Sequence, residues 1–82
     1  MAALSKFTPE VVVAILEAKR RGLADRAAAK ESSISDRSLR AWLSAGRSGV
    51  EPFAVFAAGY DAAVSHYRRE RVKQILREAE VL

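Results

Sequence analysis

The stretch 24–43 constrains the fold of this chain more than any other part of the sequence. Its residues, ADRAAAKESSISDRSLRAWL, predict two short helices joined by a tight turn, the first from Asp25 to Ser32. Three consecutive alanines, 27–29, let another helix approach the first one closely, as a helix-turn-helix unit requires where its helices cross. Ser35 is a good N-cap for the second helix, because its hydroxyl can accept a hydrogen bond from a free backbone N–H. The stretch therefore predicts a helix-turn-helix unit.

The second helix of this stretch has two different faces. Leu39, Trp42 and Leu43 follow each other at i, i+3 and i+4, so they share one side and are expected to be buried. The opposite side carries arginines, and an α-helix fits the major groove of DNA, where Arg can bond a guanine edge in two places. We therefore expect contacts to the bases of double-stranded DNA from Asp36, Arg37, Ser38, Arg40 and Ala41. The alternative is an ordinary amphipathic helix whose arginines are only solvated.

The distribution of charge favours the same kind of partner. The 82 residues carry 14 Lys and Arg against 10 Asp and Glu, a formal net charge of +4. All of this excess lies in residues 1–50, and a basic domain attracts anionic partners such as nucleic acid. The residues expected to contact DNA phosphates are Lys19, Arg20, Arg21, Lys30, Ser35 and Arg47. The alternative for residues 19–21 is that they only stabilise the negative end of the first helix, and for Arg47 that it is a solvated loop residue.

The whole chain is expected to be all-α. Thr8, Pro9 and Glu10 form a consistent helix start, and the first helix is expected to run to about Arg21. Residues 45–52 have the composition of a linker, with two glycines and a proline. We expect a three-helix DNA-binding domain over residues 1–46, a linker over 47–51, and a long helix opened by Pro52 over 52–82.

The long helix carries two apolar stripes. The first is aromatic, runs from Phe53 to Tyr67 and is expected to cover the core of the small domain. The second is aliphatic and extends beyond anything that this domain can bury, so it is expected to be an interface between copies of the chain or with a larger protein. A frayed tail is the alternative. The expected interface residues are Val72, Ile75, Leu76 and Ala79.

The sequence offers no support for an enzyme. Asp61, Ser65 and His66 are the residue types of a catalytic triad, but they lie on one helix and adjacent helical residues point in different directions. The chain has no Cys and one His, and its glycines form no phosphate-binding loop, so we expect no metal, no cofactor and no small-molecule substrate. The sequence also lacks an apolar run of ~20 residues, which a membrane span needs. It lacks the features of a signal peptide as well. A cytoplasmic location is therefore expected.

Residues 9–63, about two thirds of the chain, resemble the N-terminal DNA-binding part of phage terminase small subunits and related phage helix-turn-helix proteins. The segments that carry the resemblance are Ala27-Ala28-Ala29-Lys30, then ISDRSLRAWL at 34–43, then Gly46-Arg47 with Gly49, and finally Glu51-Pro52-Phe53 with Phe56. The family usually has Gly at the turn position that Ser33 occupies here.

The resemblance implies a protein, encoded by a phage or prophage and acting in a bacterial host cell, that recognises viral DNA for genome packaging. It also implies homo-oligomeric rings and a large terminase subunit as a partner. Two other interpretations remain open. One is a small phage transcriptional regulator or recombination directionality factor with the same motif. The other is a protein adaptor that does not bind DNA and whose basic residues serve solubility.

Overall fold

The computed structural model describes residues 6–81, and side chains from 6 to 80. It contains four helices in this range: α1, Pro9–Arg20; α2, Asp25–Glu31; α3, Asp36–Arg47; and α4, Phe53–Val81. Residues 6–81 contain no β-strand, so the expected all-α class is confirmed. The radius of gyration is 14.5 Å, whereas a compact domain of this length has about 12 Å. The chain is therefore elongated, because α4 extends well past the rest of the fold.

The starts of α1 and α3 follow from residues close in sequence. Thr8 Oγ1 accepts a hydrogen bond from the backbone N–H of Val11 at 3.2 Å, and Pro9 occupies the first helical turn. Ser35 Oγ accepts one from the backbone N–H of Ser38 at 3.0 Å. Both residues satisfy donors that the first turn of a helix otherwise leaves free. The two predicted N-caps are therefore confirmed.

The ends of α1 and α2 come one residue earlier than expected, at Arg20 and Glu31. After α1 the chain turns at Gly22, which has a φ of 87°. After α2 it turns at Ser33, whose φ of 60° lies in the left-handed region that L-residues enter only at a cost. Ser33 thus adopts the conformation for which a glycine is the usual choice.

The end of α3 corrects the predicted linker. Residues 45–47 belong to α3, which runs to Arg47, so helix crosses the predicted boundary between residues 46 and 47. Gly46 is buried because α4 packs directly on it: a Cβ there would be 2.8 Å from Ala57 Cβ and would overlap the Phe53 carbonyl. This glycine therefore serves close packing of two helices rather than flexibility.

The start of α4 also differs from the expectation, since the helix begins at Phe53 and Pro52 precedes it in a turn. The first turn of α4 is held from outside the helix. The Val50 carbonyl accepts from the backbone N–H of Ala54 at 2.9 Å, and a Glu51 carboxylate oxygen accepts from that of Val55 at 3.1 Å.

The core lies where α1, α3 and the first half of α4 meet. Phe7 packs edge-on against Trp42, Phe53 and Phe56, with ring centroids 4.9–5.6 Å apart. The aromatic stripe of α4 is buried only at its beginning, because Tyr60 is half-buried and Tyr67 is exposed. The other members of the buried cluster are Ile15, Ala29, Ile34, Leu39, Leu43 and Ala57.

The second half of α4 leaves the body of the protein. Every residue from Ser65 to Glu80 is exposed. The predicted aliphatic stripe lies on this half, and Val72, Ile75 and Leu76 have exposed fractions of 55%, 49% and 58%. We call residues 65–80 the tail of α4.

Candidate nucleic-acid interface

The outer face of α3 is the centre of the candidate site. Leu39 and Trp42 are completely buried beneath the helix, so α3 cannot turn about its axis without losing its core contacts. The side chains on the opposite side are exposed, as their spacing predicts. They are Arg37, Arg40, Ala41 and Ser44. We call these four residues the outer face of α3.

The two arginines of the outer face differ in their surroundings. Arg40 pairs with Asp36, one turn earlier, through an N···O distance of 3.3 Å. The Arg40 side chain is 69% exposed, and ion pairs at the surface contribute ~0–1 kcal/mol, so Arg40 can exchange Asp36 for another partner at little cost. Arg37 has no acidic group within ion-pair distance among residues 6–80. Arg37 is thus already free to bind an anion or a base edge.

Three polar residues near the start of α3 have partners within the helix. Asp36, predicted to contact a base, is directed along the helix to Arg40, and 29% of its side chain is exposed. The Ser35 hydroxyl donates to Ser38 Oγ at 3.0 Å while it accepts from the Ser38 backbone. The structure therefore gives Asp36 and Ser35 roles in orienting α3 and Arg40, and their predicted DNA contacts remain predictions.

The helix before α3 adds two more basic side chains. Arg26 and Lys30 are exposed, lie one turn apart on the same side of α2, and have no ion-pair partner in the described part of the chain. The sequence analysis identified Lys30 but missed Arg26. Arg26 could have been found from its spacing: it lies four residues before Lys30, on the side of α2 opposite the buried Ala28.

The predicted basic cluster at residues 19–21 does not form one surface. Lys19 points into the fold, with 11% of its side chain exposed, and its ammonium donates to the Leu23 carbonyl at 2.7 Å and to Asp25 at 2.9 Å. Arg21 pairs with Glu31 at 2.8 Å, whereas Arg20 is exposed. Lys19 therefore holds α1 to the start of α2, while Arg20 remains available to a phosphate.

Arg47 lies at the end of α3 and is paired as well. Its guanidinium donates to Asp61 on α4 at 3.0 Å and lies 5.8 Å from the centre of the Tyr60 ring. Arg47 and Asp61 are both more than half exposed. A phosphate can therefore compete with Asp61 for Arg47, since an exposed ion pair is weak.

A hydrogen-bonded group of three residues fixes the helices behind this surface. The Tyr60 hydroxyl donates to Asp25 Oδ1 at 2.6 Å, and Lys19 donates to the same oxygen. Burial and the bond to Asp25 raise the pKa of Tyr60 to about 12. Burial acts to raise the pKa of the Asp25 carboxyl, but the hydrogen bonds from Tyr60 and Lys19 outweigh it and the pKa is lowered. The carboxylate therefore stabilises the fold above its unfolded pKa, and this contribution is lost as the pH falls through the folded pKa.

Asp61, Ser65 and His66 do not form a hydrogen-bonded triad within residues 6–80. The Asp61 carboxylate bonds Arg47, and no hydrogen bond joins it to Ser65 or His66 within residues 6–80. That part of the chain has no cluster of three His, Cys, Asp or Glu side chains suited to a metal ion. Among the described residues, no helix has the length and apolarity that a membrane span requires.

We compared the chain with models of protein families, with curated proteins and with solved structures, and none of them matched.

Proposed function

We propose that this protein binds double-stranded DNA through a helix-turn-helix formed by α2 and α3, with α3 in the major groove. The observation that carries the proposal is the outer face of α3, where Arg37 and Arg40 are exposed beside the short side chains of Ala41 and Ser44. Short residues allow a helix to approach the base edges closely, and Arg can then bond guanine at two atoms. Arg37 and Arg40 are the residues that read the bases.

The residues around α3 support the same placement of α3 in the major groove. A helix-turn-helix joins its helices through a short turn, and here four residues, 32–35, connect α2 to α3. Arg26 and Lys30 are exposed on α2, and Arg20 is exposed at the end of α1. Contacts of these side chains with phosphates would fix the position of the protein on the duplex without adding sequence preference.

For the biological task we propose recognition of viral DNA for genome packaging, as the resemblance to terminase small subunits implies. In this role the protein acts in the cytoplasm of a bacterial host, forms homo-oligomers in which the tail of α4 is one of the contacts, and presents DNA to a large terminase subunit. The exposed aliphatic stripe of Val72, Ile75 and Leu76 supports self-association.

A transcriptional regulator or recombination directionality factor is the second candidate. The observation that favours it is the arrangement of charges on the tail: Arg71 and Lys73 lie toward the body and two glutamates, 78 and 80, toward the end of the helix, which suits a twofold pair of chains. A twofold dimer matches a palindromic DNA site, whereas a cyclic assembly of many subunits matches packaging. The mass of the assembly on DNA therefore separates the two candidates.

The experiment is a selection of preferred sites from random duplexes, followed by anisotropy measurements on the selected site and on a mixed sequence. Arg37→Ala and Arg40→Ala should each weaken binding to the selected site by about 1–3 kcal/mol and relax its sequence preference. Arg20→Ala should weaken binding to both duplexes equally. Arg77→Ala, an exposed position on the tail, is the matched control and should change neither affinity.

Two results would overturn the proposal. If Arg20→Ala alters sequence preference while Arg40→Ala does not, the face that reads the bases is not on α3. If the protein binds no duplex even at low salt, the adaptor interpretation takes its place.

A further inference from the structure

The tail of α4 leaves an apolar stripe uncovered. Every side chain from Ser65 to Glu80 is exposed, and the stripe contains Val72, Ile75 and Leu76, with exposed fractions of 55%, 49% and 58%. Contiguous apolar surface bordered by polar residues is typical of interaction sites. A partner helix on the tail would cover the stripe.

The charged residues beside the aliphatic stripe repeat at a spacing of seven. Arg71 and Glu78 lie on one flank of the stripe, and Lys73 and Glu80 lie on the other. All four are exposed, and their one ion pair in the described residues, Lys73 with Glu70 at 3.2 Å, is also exposed. Each flank is thus basic toward the body of the protein and acidic toward the end of the helix. Charges that flank an apolar seam set the orientation of two paired helices.

We propose that the tail pairs with the tail of a second copy of this chain, in antiparallel orientation. In this arrangement each flank meets the same flank of the second copy in the reverse direction. Arg71 then faces Glu78 of the second copy, and Lys73 faces its Glu80. A parallel pair would bring Arg71 next to Lys73 and Glu78 next to Glu80, so like charges would meet along both flanks. Charge complementarity therefore selects the antiparallel orientation.

The apolar stripe fits the same register. Exact alignment of Arg71 with Glu78 would centre the pair between Gln74 and Ile75, and exact alignment of Lys73 with Glu80 would centre it between Leu76 and Arg77. The mean register is centred between Ile75 and Leu76 and displaces each ion pair by two residues, about 3 Å along the axis, which these long side chains can span. Val72 then lies at the level of Ala79 of the second copy, and the end of one helix reaches the level of Glu70 of the other. The two DNA-binding bodies lie at opposite ends, so neither obstructs the pairing. Because the contact is twofold and self-complementary, it closes at two chains.

This inference deepens the proposed self-association and rests on it, but it does not depend on DNA binding. The first test is the mass in solution by light scattering, over a range of concentrations. The wild-type chain should form a dimer. The double variant Arg71→Glu with Lys73→Glu should raise the dimer dissociation constant by at least about tenfold, because four attractive pairs become repulsive. Mixing it with the double variant Glu78→Lys with Glu80→Lys should restore a dimer.

The matched control places new negative charge on the side of the tail away from the stripe. Gln74→Glu with Arg77→Glu should leave the dimer dissociation constant within about threefold of the wild-type value. Circular dichroism of each variant verifies that the helices remain. A monomeric wild-type chain, or equal effects of the flank and control variants, would overturn the proposal.

Cysteine cross-linking tests the orientation, since the natural chain has no cysteine. In the antiparallel pair two copies of Ile75 lie near the centre, so Ile75→Cys should cross-link with itself through a short bifunctional reagent. Two copies of Arg68 lie about 22 Å apart along the axis, so Arg68→Cys should not. Self-cross-linking of Arg68→Cys would establish a parallel pair, and cross-linking of Ile75→Cys to Val55→Cys would establish docking of the tail on the body of another copy.

DNA binding is measured on the same proteins to keep the two proposals separate. A dimer that takes up no duplex would overturn the proposed function and leave the tail pairing intact. A monomer that binds duplex would overturn the tail pairing and the proposed self-association, and it would leave DNA binding by α3 intact.

Discussion

Replacing Gly46 with alanine tests the close packing of α3 on α4, which fixes the outer face of α3. The new Cβ would be 2.8 Å from Ala57 Cβ, whereas ordinary contacts begin at 3.4 Å, and it would overlap the Phe53 carbonyl. The obstacle includes backbone, so the two helices must separate. Overpacking of this kind costs about 1–3 kcal/mol or more, and alanine regains up to about 1 kcal/mol in helix propensity. Because backbone atoms must move, we expect the overpacking cost to lie at the upper end of this range, which leaves a net loss of about 2 kcal/mol.

Thermal unfolding followed by circular dichroism measures this loss. For a domain of this size 2 kcal/mol corresponds to a decrease in Tm of roughly 8–16 °C. Gly59→Ala is the matched control, because this glycine also lies inside a helix but its new Cβ would meet only the flexible end of Leu16, at 3.3 Å. Its Tm should stay unchanged or rise. If both variants have the same Tm as the wild-type chain, the packing described for α3 on α4 is wrong.

Two further substitutions test local features of the fold by the same assay. Ser33→Gly should raise the free energy of unfolding by about 0.5–1 kcal/mol. The left-handed φ costs an L-residue about 1–2 kcal/mol, glycine adopts it without this cost, and the greater entropy of glycine in the unfolded chain offsets part of the gain. A lower Tm would contradict the turn geometry. Tyr60→Phe should cost about 1–2 kcal/mol, because the Asp25 carboxylate loses a donor. Tyr67→Phe, whose hydroxyl has no partner among the described residues, should have little effect, and equal losses in the two tyrosine variants would refute the role given to Tyr60.

The parts of the fold that sequence predicts well depend on neighbours in the chain. Thr8 and Ser35 cap helices by bonding a backbone N–H three residues later, so the residues themselves identify the caps. The burial of Leu39 and Trp42 follows from their helical spacing in the same way. The outer face of α3 could be predicted for this reason.

Features that depend on distant residues could not be predicted. In the sequence, Gly46 resembles a linker residue. Its lack of a side chain is explained only by the packing of α4, because a Cβ would collide with Phe53 and Ala57. Lys19 is a basic residue at a helix end, but its direction is fixed by Asp25, which is itself bonded by Tyr60, 35 residues later in the chain. The same limit applies to Arg47, whose partner Asp61 lies on α4. The sequence thus identified candidate basic residues, but it did not show which of them are paired with acidic residues within the fold.

The salt dependence of DNA binding tests the central claim most directly. The measurement is the anisotropy of a labelled mixed-sequence duplex, titrated with the wild-type protein at several salt concentrations. If the exposed basic residues of α1, α2 and α3 neutralise about five phosphates, the logarithm of the binding constant should fall against the logarithm of salt concentration with a slope of about −4 to −5. A slope near zero, or no binding at low salt, would contradict the claim that this surface binds DNA.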